Sequence, residues 1–497
     1  GGASKSRTKM AAPSTWASVV NQARPGVKEV AHEDLHDMWK ANPAMRLVDI
    51  REPHEVERMA IPPWLRPIVI PRGILERDVA AQVPDVDTEL VVICAGGSRS
   101  VKACETLALM GYTRTRSLKE GAIALCAGHP LHRPGVRHGF QEAMGNTPLI
   151  LLKGVSKETG CTILGKAEYM NPGGSVKDRP ALHLILDAER RGLIKPGGTI
   201  TEATSGNTGI GLAHVCNSRG YKLICCMPSI MALEKQNTLK QLGANLMLTK
   251  PMPLKDPVTG KPNMEHYHNL APLIAKEGKE RGENIHCVNQ WQNTANRMSH
   301  YLSTGPEIMQ QTGGKIDCFC AATGTGGTIG GISRYLKDHS PKTKVVLCDC
   351  RGSALYDWAA TGDEGTERVL AGERWCPKPP MDPGSSPVTE GIGNSVITAN
   401  MEGLRDYIDD AVQVKDHDAI RMVFRLLHEE GVFVGGSAGL NVCGAVEMAR
   451  RLGPGHTIVT VLCDSGFRYG TKFFNKEWMV KNKLYEALPP EHRVGIE

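Results

Sequence analysis

One stretch, Asn171-Pro-Gly-Gly-Ser-Val-Lys-Asp-Arg179, limits what this chain can fold into more than any other. The run Thr162-Ile-Leu-Gly-Lys-Ala-Glu168 leads in and predicts a strand. Pro180-Ala-Leu-His-Leu-Ile-Leu-Asp-Ala-Glu189 leads out and predicts a helix. Between them Pro172, Gly173 and Gly174 break the strand and let the backbone turn tightly. Ser175 is placed to cap the helix, which puts Lys177 in its first turn. A cation there opposes the positive end of the helix dipole. That is a poor position for a structural lysine and a suitable one for an amine that must lose its proton to react.

Three more glycine-bearing segments fall where strand patterns give way to helix patterns: Thr204-Ser-Gly-Asn-Thr-Gly209, Gly324-Thr-Gly-Gly-Thr328 and Gly435-Gly-Ser-Ala-Gly439. From Gly145 onward strands and helices alternate, with strands expected at Thr199–Glu202, Lys222–Met227, Asn245–Leu248, Asp317–Ala321, Lys344–Cys348 and Thr457–Leu462. This alternation predicts an α/β fold, parallel sheet flanked by helices. Ligands in such folds lie at the carboxyl ends of strands, where the glycine segments fall. Glycines let N–H groups approach a phosphate there, and the helix dipole adds to the attraction.

In this order the four segments resemble the cysteine synthase (O-acetylserine sulfhydrylase) family and the related cystathionine β-synthases, both fold-type II pyridoxal-phosphate (PLP) enzymes. The resemblance runs from about Met144 to Lys483. It implies a two-subdomain PLP domain over 144–485, a short tail at 486–497, PLP as cofactor, and a homodimer acting on small amino-acid substrates. Lys177 matches the family's Schiff-base lysine, which also takes the substrate Cα proton. Gly324, Thr325, Gly326, Gly327 and Thr328 match the phosphate cradle, and Asn207 the partner of the ring hydroxyl oxygen. Thr204, Ser205, Gly206 and Thr208 match the loop that grips the substrate carboxylate, with Gln290 beside it. The family usually has Phe where this chain has Trp291.

Ser437 matches the residue facing the pyridine nitrogen. A hydroxyl, unlike a carboxylate, does not hold that nitrogen protonated, so β-elimination followed by β-addition is favoured over transamination. Asp464-Ser-Gly-Phe-Arg-Tyr469 resembles the family's closing motif next to the ring, and Glu390-Gly-Ile-Gly393 carries the Glu found in cystathionine β-synthases. The expected reaction makes L-cysteine from O-acetyl-L-serine, or a related activated serine, and sulfide or another sulfur donor. Cystathionine β-synthase chemistry is the alternative within the class. A structural subunit of a larger organellar assembly that retains the enzyme fold is the alternative outside it.

Residues 28–125 read as a separate small α/β domain, with strands at Arg46–Arg51, Pro67–Ile70 and Leu90–Cys94 and a helix over Ser100–Met110. Cys94 ends a strand before a glycine-bearing loop and a helix start, where N–H groups favour a thiolate. Cys94-x-x-Gly97-x-Arg99-Ser100, with Val48-Asp-Ile-Arg51 and Gly111-Tyr112, resembles the rhodanese domains. The resemblance implies Cys94 as sulfur carrier, Arg99 as substrate-binding residue, and thiosulfate sulfurtransferase activity; a non-catalytic module is the alternative. Met59-Ala-Ile-Pro-Pro63 lacks the glycine and histidine of the family's Gly-His-Ile-Pro-Gly segment.

At 497 residues the chain is too long for one ordinary core. A net charge of +6, spread along the chain, argues against a nucleic-acid partner. No apolar run reaches the length of a membrane span. Fifteen cysteines without a C-x-x-C pair suggest a reducing compartment and no metal site. Cys318/Cys320 and Cys348/Cys350 alternate in apolar runs, so each pair faces one side of a strand as small hydrophobes, with a redox role the alternative. Residues 1–27 are basic, without acids, and read as the remnant of an organellar targeting peptide, mitochondrial ahead of plastid or cytoplasm, or as a plain tail. Residues 126–143 read as a linker whose His129, His132 and His138 are solvated. Segments 250–269 and 351–390 look inserted, each a lid, a partner contact or a surface loop.

Overall fold

The computed structural model describes residues 23–493 and 496, except 32–33, 36–37, 39–40, 43, 59–66, 120, 123–136, 138, 256–258, 260, 361–367, 371–372, 376–387 and 394–395. The Met59–Pro63 segment, the three linker histidines and nearly all of the basic tail therefore lie outside the described residues. The chain divides into two compact units, 1–133 and 134–497.

The first unit is built on a parallel sheet of five strands, in the order Glu29–Val30, Thr115–Leu118, Leu90–Ile93, Arg46–Asp49 and Ile68–Val69. The central strand Leu90–Ile93 is buried at every position, which is why it reads as an unbroken apolar run. The helix Ser98–Leu109 follows it and buries Val101, Ala103, Cys104 and Leu107.

The second unit holds two main sheets and a small three-stranded one. The larger runs, edge to edge, Asp410–Val414, Lys344–Cys350, Cys318–Ala322, Thr457–Val461, Thr162–Lys166 and Leu149–Leu151. All its pairings are parallel except the last, where Leu149–Leu151 folds back antiparallel on Thr162–Lys166. The smaller is wholly parallel: Asn245–Thr249, Lys222–Pro228, Thr199–Ala203 and Ile285–Cys287. All six expected strands are present, and the sequence pattern missed Leu149–Leu151, Ile285–Cys287 and Asp410–Val414 in these two sheets. The chain leaves the larger sheet after Thr162–Lys166, builds the smaller one, and returns at Cys318. Lys177 lies on the outward crossing.

Cys318, Cys320, Cys348 and Cys350 are all buried in one apolar cluster with Val346, Ile458 and Leu440, as small core residues. The helix Gly436–Leu452 packs on them so closely that a Cβ on Gly444 would stand 2.1 Å from Cys348 Sγ. The two inserted segments are more than loops. The first contains a bridge between Lys255 and Pro262 and the start of the helix Tyr267–Glu280. The second contains the helix Leu355–Ala360 and two strands, Arg368–Leu370 and Glu373–Trp375, that form an antiparallel ladder with Val396–Ile397. Near the C-terminus Leu488 and Ile496 are buried with Phe424 and Phe473. Among the described residues no helix is long and apolar enough to cross a membrane, and no cluster of metal-ligating side chains forms.

Candidate active site

Lys177 immediately precedes the helix Asp178–Arg190, one step short of the expected first turn, and Ser175 is not its cap. Ser175 forms a backbone bridge with Asp464, and its Oγ accepts the Lys177 N–H at 3.2 Å. The Val176 N–H donates to the Cys463 carbonyl at 2.8 Å. These pairings tie residues 175–176 to the segment that ends the strand Thr457–Val461, and the helix starts only beyond them. Burial lowers the Lys177 ammonium below the ordinary lysine range, with Cys463 and Asp464 opposing weakly.

Behind Lys177 the helix start is clamped by buried charge. Arg179 Nε and Nη2 each reach Glu168 at 2.7 Å, and Nη1 and Nη2 reach Glu307 at 2.6 and 2.8 Å. Lys166 Nζ lies 2.7 Å from Glu307 and completes a neutral foursome. Burial alone would raise Glu307, but Arg179 and Lys166 outweigh it and hold the carboxyl well below its usual range.

Lys177 opens into a cavity of about 850 Å³. Three helix N-termini border it, those of Asn207–Arg219, Gly327–His339 and Gly436–Leu452, so N–H groups and positive dipole ends converge there. Gly326 has φ +82°, and a Cβ on it would lie 2.2 Å from Met401 Cγ. A Cβ on Gly327 would lie 2.0 Å from Asn296 Oδ1. Asn296 in turn donates to Thr325 Oγ1 at 3.0 Å and to the Gln290 carbonyl at 2.8 Å. Thr328 Oγ1 lies 3.3 Å from the buried His300 Nε2. The buried Thr323 hydroxyl has no partner among the described residues.

Thr204, Ser205, Asn207, Thr208 and Gln290 share the cavity wall. Gly206, at φ +131°, lets the turn pass the Lys235 side chain, whose Cδ would lie 2.6 Å from an added Cβ. Gln290 is more than an ordinary polar loop residue. Its Oε1 accepts from Thr208 at 2.6 Å, its Nε2 donates to the Ala203 carbonyl at 2.9 Å, and its backbone N–H donates to Glu202 at 3.0 Å. Asn207 Nδ2 donates to Asp464 Oδ2 at 2.7 Å, while its Oδ1 accepts from Arg468. Ser437 lies beside Cys463, whose thiol burial pushes up to about 12.

Sequence reasoning missed the polar rim. Lys235 Nζ donates to Glu390 at 2.5 Å and to Tyr469 Oη at 3.0 Å, and Lys472 also binds Glu390. The glutamate at 390, the residue found in cystathionine β-synthases, was the visible signal; nothing in the local pattern marks Lys235. Both inserted segments also reach the cavity, through Leu254, His266 and His268 from one and Thr389 and Glu390 from the other.

In the first unit Cys94 follows the strand Leu90–Ile93 and is buried, its Sγ 3.5 Å from Ser100 Oγ. Ser100 Oγ donates to the Gly97 carbonyl at 3.0 Å and lies 2.8 Å from Ser117 Oγ. Gly97, at φ +82°, starts the helix. Arg99 lies near Cys94 but forks onto Glu55, at 2.8 and 2.5 Å. Hydrogen bonding from Arg99 lowers the Glu55 carboxyl to about 2.

The geometry of the second unit is that of a phosphate-bearing cofactor site with an amine at its base. Residues 140–464 match the family described as pyridoxal-phosphate dependent enzyme, and residues 31–126 match the rhodanese-like domain. The chain belongs to the pyridoxal-phosphate dependent enzymes, with a rhodanese-like domain ahead of the catalytic fold. It is 46% identical over 359 residues to cysteine synthase 1 of Neurospora crassa, covering 72% of this chain and 88% of the relative. It is 39% identical over 376 residues to a Saccharomyces cerevisiae cysteine synthase whose name provisionally places it in mitochondria, covering 73% and 88%. Among solved structures it resembles O-ureido-L-serine synthase, with a TM-score of 0.57, 30% identity, and coverage of 68% of this chain and 95% of that one. The residues present fit PLP: a glycine cradle at a helix N-terminus that a Cβ would fill, an orphan hydroxyl at Thr323, and Lys177 in the same cavity.

Proposed function

We propose that the second unit makes L-cysteine by β-replacement, from O-acetyl-L-serine or a related activated serine and a sulfur nucleophile. The observation that carries this is the convergence of Lys177, the Gly324–Thr328 cradle, the Thr204–Thr208 loop and Ser437 on one cavity. Bound PLP would supply an electron sink at the substrate Cα. Lys177, held low by burial, serves as the amine that carries the cofactor and as the base at Cα. Gly324, Thr325, Gly326, Gly327 and Thr328 hold the phosphate. Thr204, Ser205, Gly206 and Thr208, braced by Gln290, hold the substrate carboxylate. Asn207, anchored by Asp464 and Arg468, would border the ring, and Ser437 would offer its nitrogen a neutral hydroxyl.

The test is the visible spectrum of the purified protein. A band that shifts on adding O-acetyl-L-serine, returns with sulfide and is lost in Lys177→Ala supports the reading. A band indifferent to O-acetyl-L-serine but altered by serine plus homocysteine transfers the assignment to cystathionine synthesis. Absence of any band after added PLP points instead to a structural subunit.

For the first unit we propose that the Cys94 thiolate attacks the outer sulfur of thiosulfate, breaking the S–S bond and releasing sulfite. Arg99 binds the anion once it parts from Glu55. Cys94→Ser should abolish thiosulfate-to-cyanide sulfur transfer; unchanged transfer would leave the domain without this role. A homodimer, read by sedimentation, and a mitochondrial location, read by organelle fractionation, complete the proposal.

A further inference from the structure

The side chain proposed to border the cofactor ring is not free to turn. Arg468 has only donors, so Asn207 Oδ1 faces it, and Asn207 Nδ2 donates to Asp464 Oδ2 at 2.7 Å. A flipped amide would set N–H groups against the guanidinium and a carbonyl against the acid. One Asn207 N–H is left, so a donor is all this side chain can offer the ring. Asp464 is itself held from the other side. Its Oδ2 also accepts from Tyr469 Oη at 2.7 Å, and its Oδ1 has no partner among the described residues. A Cβ on Gly435 would lie 2.3 Å from Asp464 Oδ1 and 2.4 Å from Tyr469 Cε2, so acid and phenol are packed together under the turn that precedes Ser437.

Tyr469 continues this chain of bonds to the cavity mouth. Lys235 Nζ donates to Tyr469 Oη at 3.0 Å and to one Glu390 oxygen at 2.5 Å, and Lys472 binds the other. Burial, with Asp464 and Glu390, holds the Tyr469 phenol well above its ordinary range, so it keeps the proton it gives to Asp464. The partners come from three parts of the unit. Lys235 stands on the helix Leu233–Gln241 beside the smaller sheet, Asp464 and Tyr469 follow the strand Thr457–Val461 of the larger one, and Glu390 ends the second inserted segment.

We propose that Tyr469 is a positioning residue: by fixing Asp464 it fixes the donor that Asn207 turns to the ring, and it passes to that donor the state of the Lys235–Glu390–Lys472 cluster at the mouth. The inference rests on the reading above that Asn207 borders the ring. Tyr469 does not line the cavity, so it acts through Asp464. A donor at the ring hydroxyl oxygen favours its ionised form, so the visible band of the bound cofactor reports on that donor. An anion that competes with Glu390 for Lys235 would reach the ring along the same path, Lys235 to Tyr469 to Asp464 to Asn207.

The experiment reads the visible band and the PLP dissociation constant of the full chain. Tyr469→Phe keeps the ring, stacked on Phe473 at 4.8 Å between centroids, and removes the hydroxyl. Its band should move from the wild-type position, and its PLP dissociation constant should rise about tenfold, the loss expected for one buried hydrogen bond. Lys235→Met, which keeps the stem against Gly206 and removes the amine, should move the band in the wild-type background and not in the Tyr469→Phe background. A Tyr469→Phe protein with a lowered melting temperature but a wild-type band and dissociation constant would make the tyrosine structural only and overturn the positioning role. Shifts from the two variants that add in full would overturn the link to the mouth. Should Tyr469→Phe not fold, a Lys235→Met band at the wild-type position overturns the proposal in its place. Asn207→Ala separates this inference from the reading beneath it. If that variant leaves the band where it is, the placement of Asn207 at the ring fails and the role of Tyr469 with it; if it moves the band and Tyr469→Phe does not, only the positioning role fails.

Discussion

Glu307→Gln tests how far the positioning of Lys177 depends on buried charge. Glu307 accepts from Arg179 at 2.6 and 2.8 Å, from Lys166 at 2.7 Å and from the Asn146 N–H at 3.0 Å, with its side chain 1% exposed. The substitution keeps the shape and leaves two buried cations facing one carboxylate, Glu168. Breaking one side of a buried pair in this way costs about 3–5 kcal/mol. For a unit of this size that corresponds to a fall in melting temperature of roughly 4–7 °C. The surface contact Arg450–Glu158, whose side chains are 59% and 34% exposed, is the control; Glu158 also pairs with Arg425, so Arg450→Gln removes only the exposed arm and should cost under about 1 kcal/mol. Lys166→Met combined with Glu307→Gln restores neutrality and leaves Arg179 paired with Glu168. The double variant should therefore be more stable than Glu307→Gln alone, a coupling of opposite sign to additive damage. Thermal melts of the PLP-loaded protein at one scan rate measure all three. A Glu307→Gln melt within about 1 °C of wild type, or a double variant less stable than the single, would refute the account.

Gly326→Ala should strip the protein of cofactor, because it forces a Cβ to 2.2 Å from Met401 Cγ at φ +82°; absorbance per chain after dialysis reads this. Glu202→Gln tests the buried carboxyl under Gln290. Its folded pKa, raised to about 8, lies above that of an exposed carboxyl, so the stability it contributes is full below about pH 4 and is lost as pH rises to 8. The melting temperature of Glu202→Gln should thus gain on wild type from pH 5 to pH 8.5, and a constant gap would show the group ionised throughout. Gly444→Ala should cost about 1–3 kcal/mol by driving a methyl group into Cys348 at 2.1 Å, read by the same melts.

The fold was legible where local pattern and long-range pairing agree. Thr457–Val461 and Cys318–Ala322 are apolar runs because they are central strands covered on both faces, so composition announces them. Ile285–Cys287 is an edge strand of three residues with a histidine in the middle, and Asp410–Val414 is an edge strand starting on an acid. Edge strands have one neighbour and need less apolar sequence, so pattern alone passes over them. The glycine segments were legible because their geometry admits no other residue, as a Cβ on Gly326 or Gly327 shows.

Ser175 shows where legibility ends and why. As a serine two residues before a helical run it has the local signature of a cap, and in isolation that preference is worth about 1 kcal/mol. The competing arrangement uses Asp464 and Cys463, which arrive from the far end of the chain: a backbone bridge at Ser175, an N–H···O bond at Val176, and the helix start pinned by Arg179. Several bonds to a rigid strand end outweigh one cap, and the result carries chemical meaning. With Ser175 as cap, Lys177 would belong to the helix and its direction would follow the helix surface. With residues 175–176 tied to the Cys463–Asp464 segment, Lys177 shares the cavity with Cys463 and Ser437, while Asp464 holds Asn207. The same two C-terminal residues therefore set the position of the amine and of the side chain proposed to border the cofactor ring. That link joins residues at opposite ends of the catalytic fold, which is why no window of sequence around Lys177 could contain it.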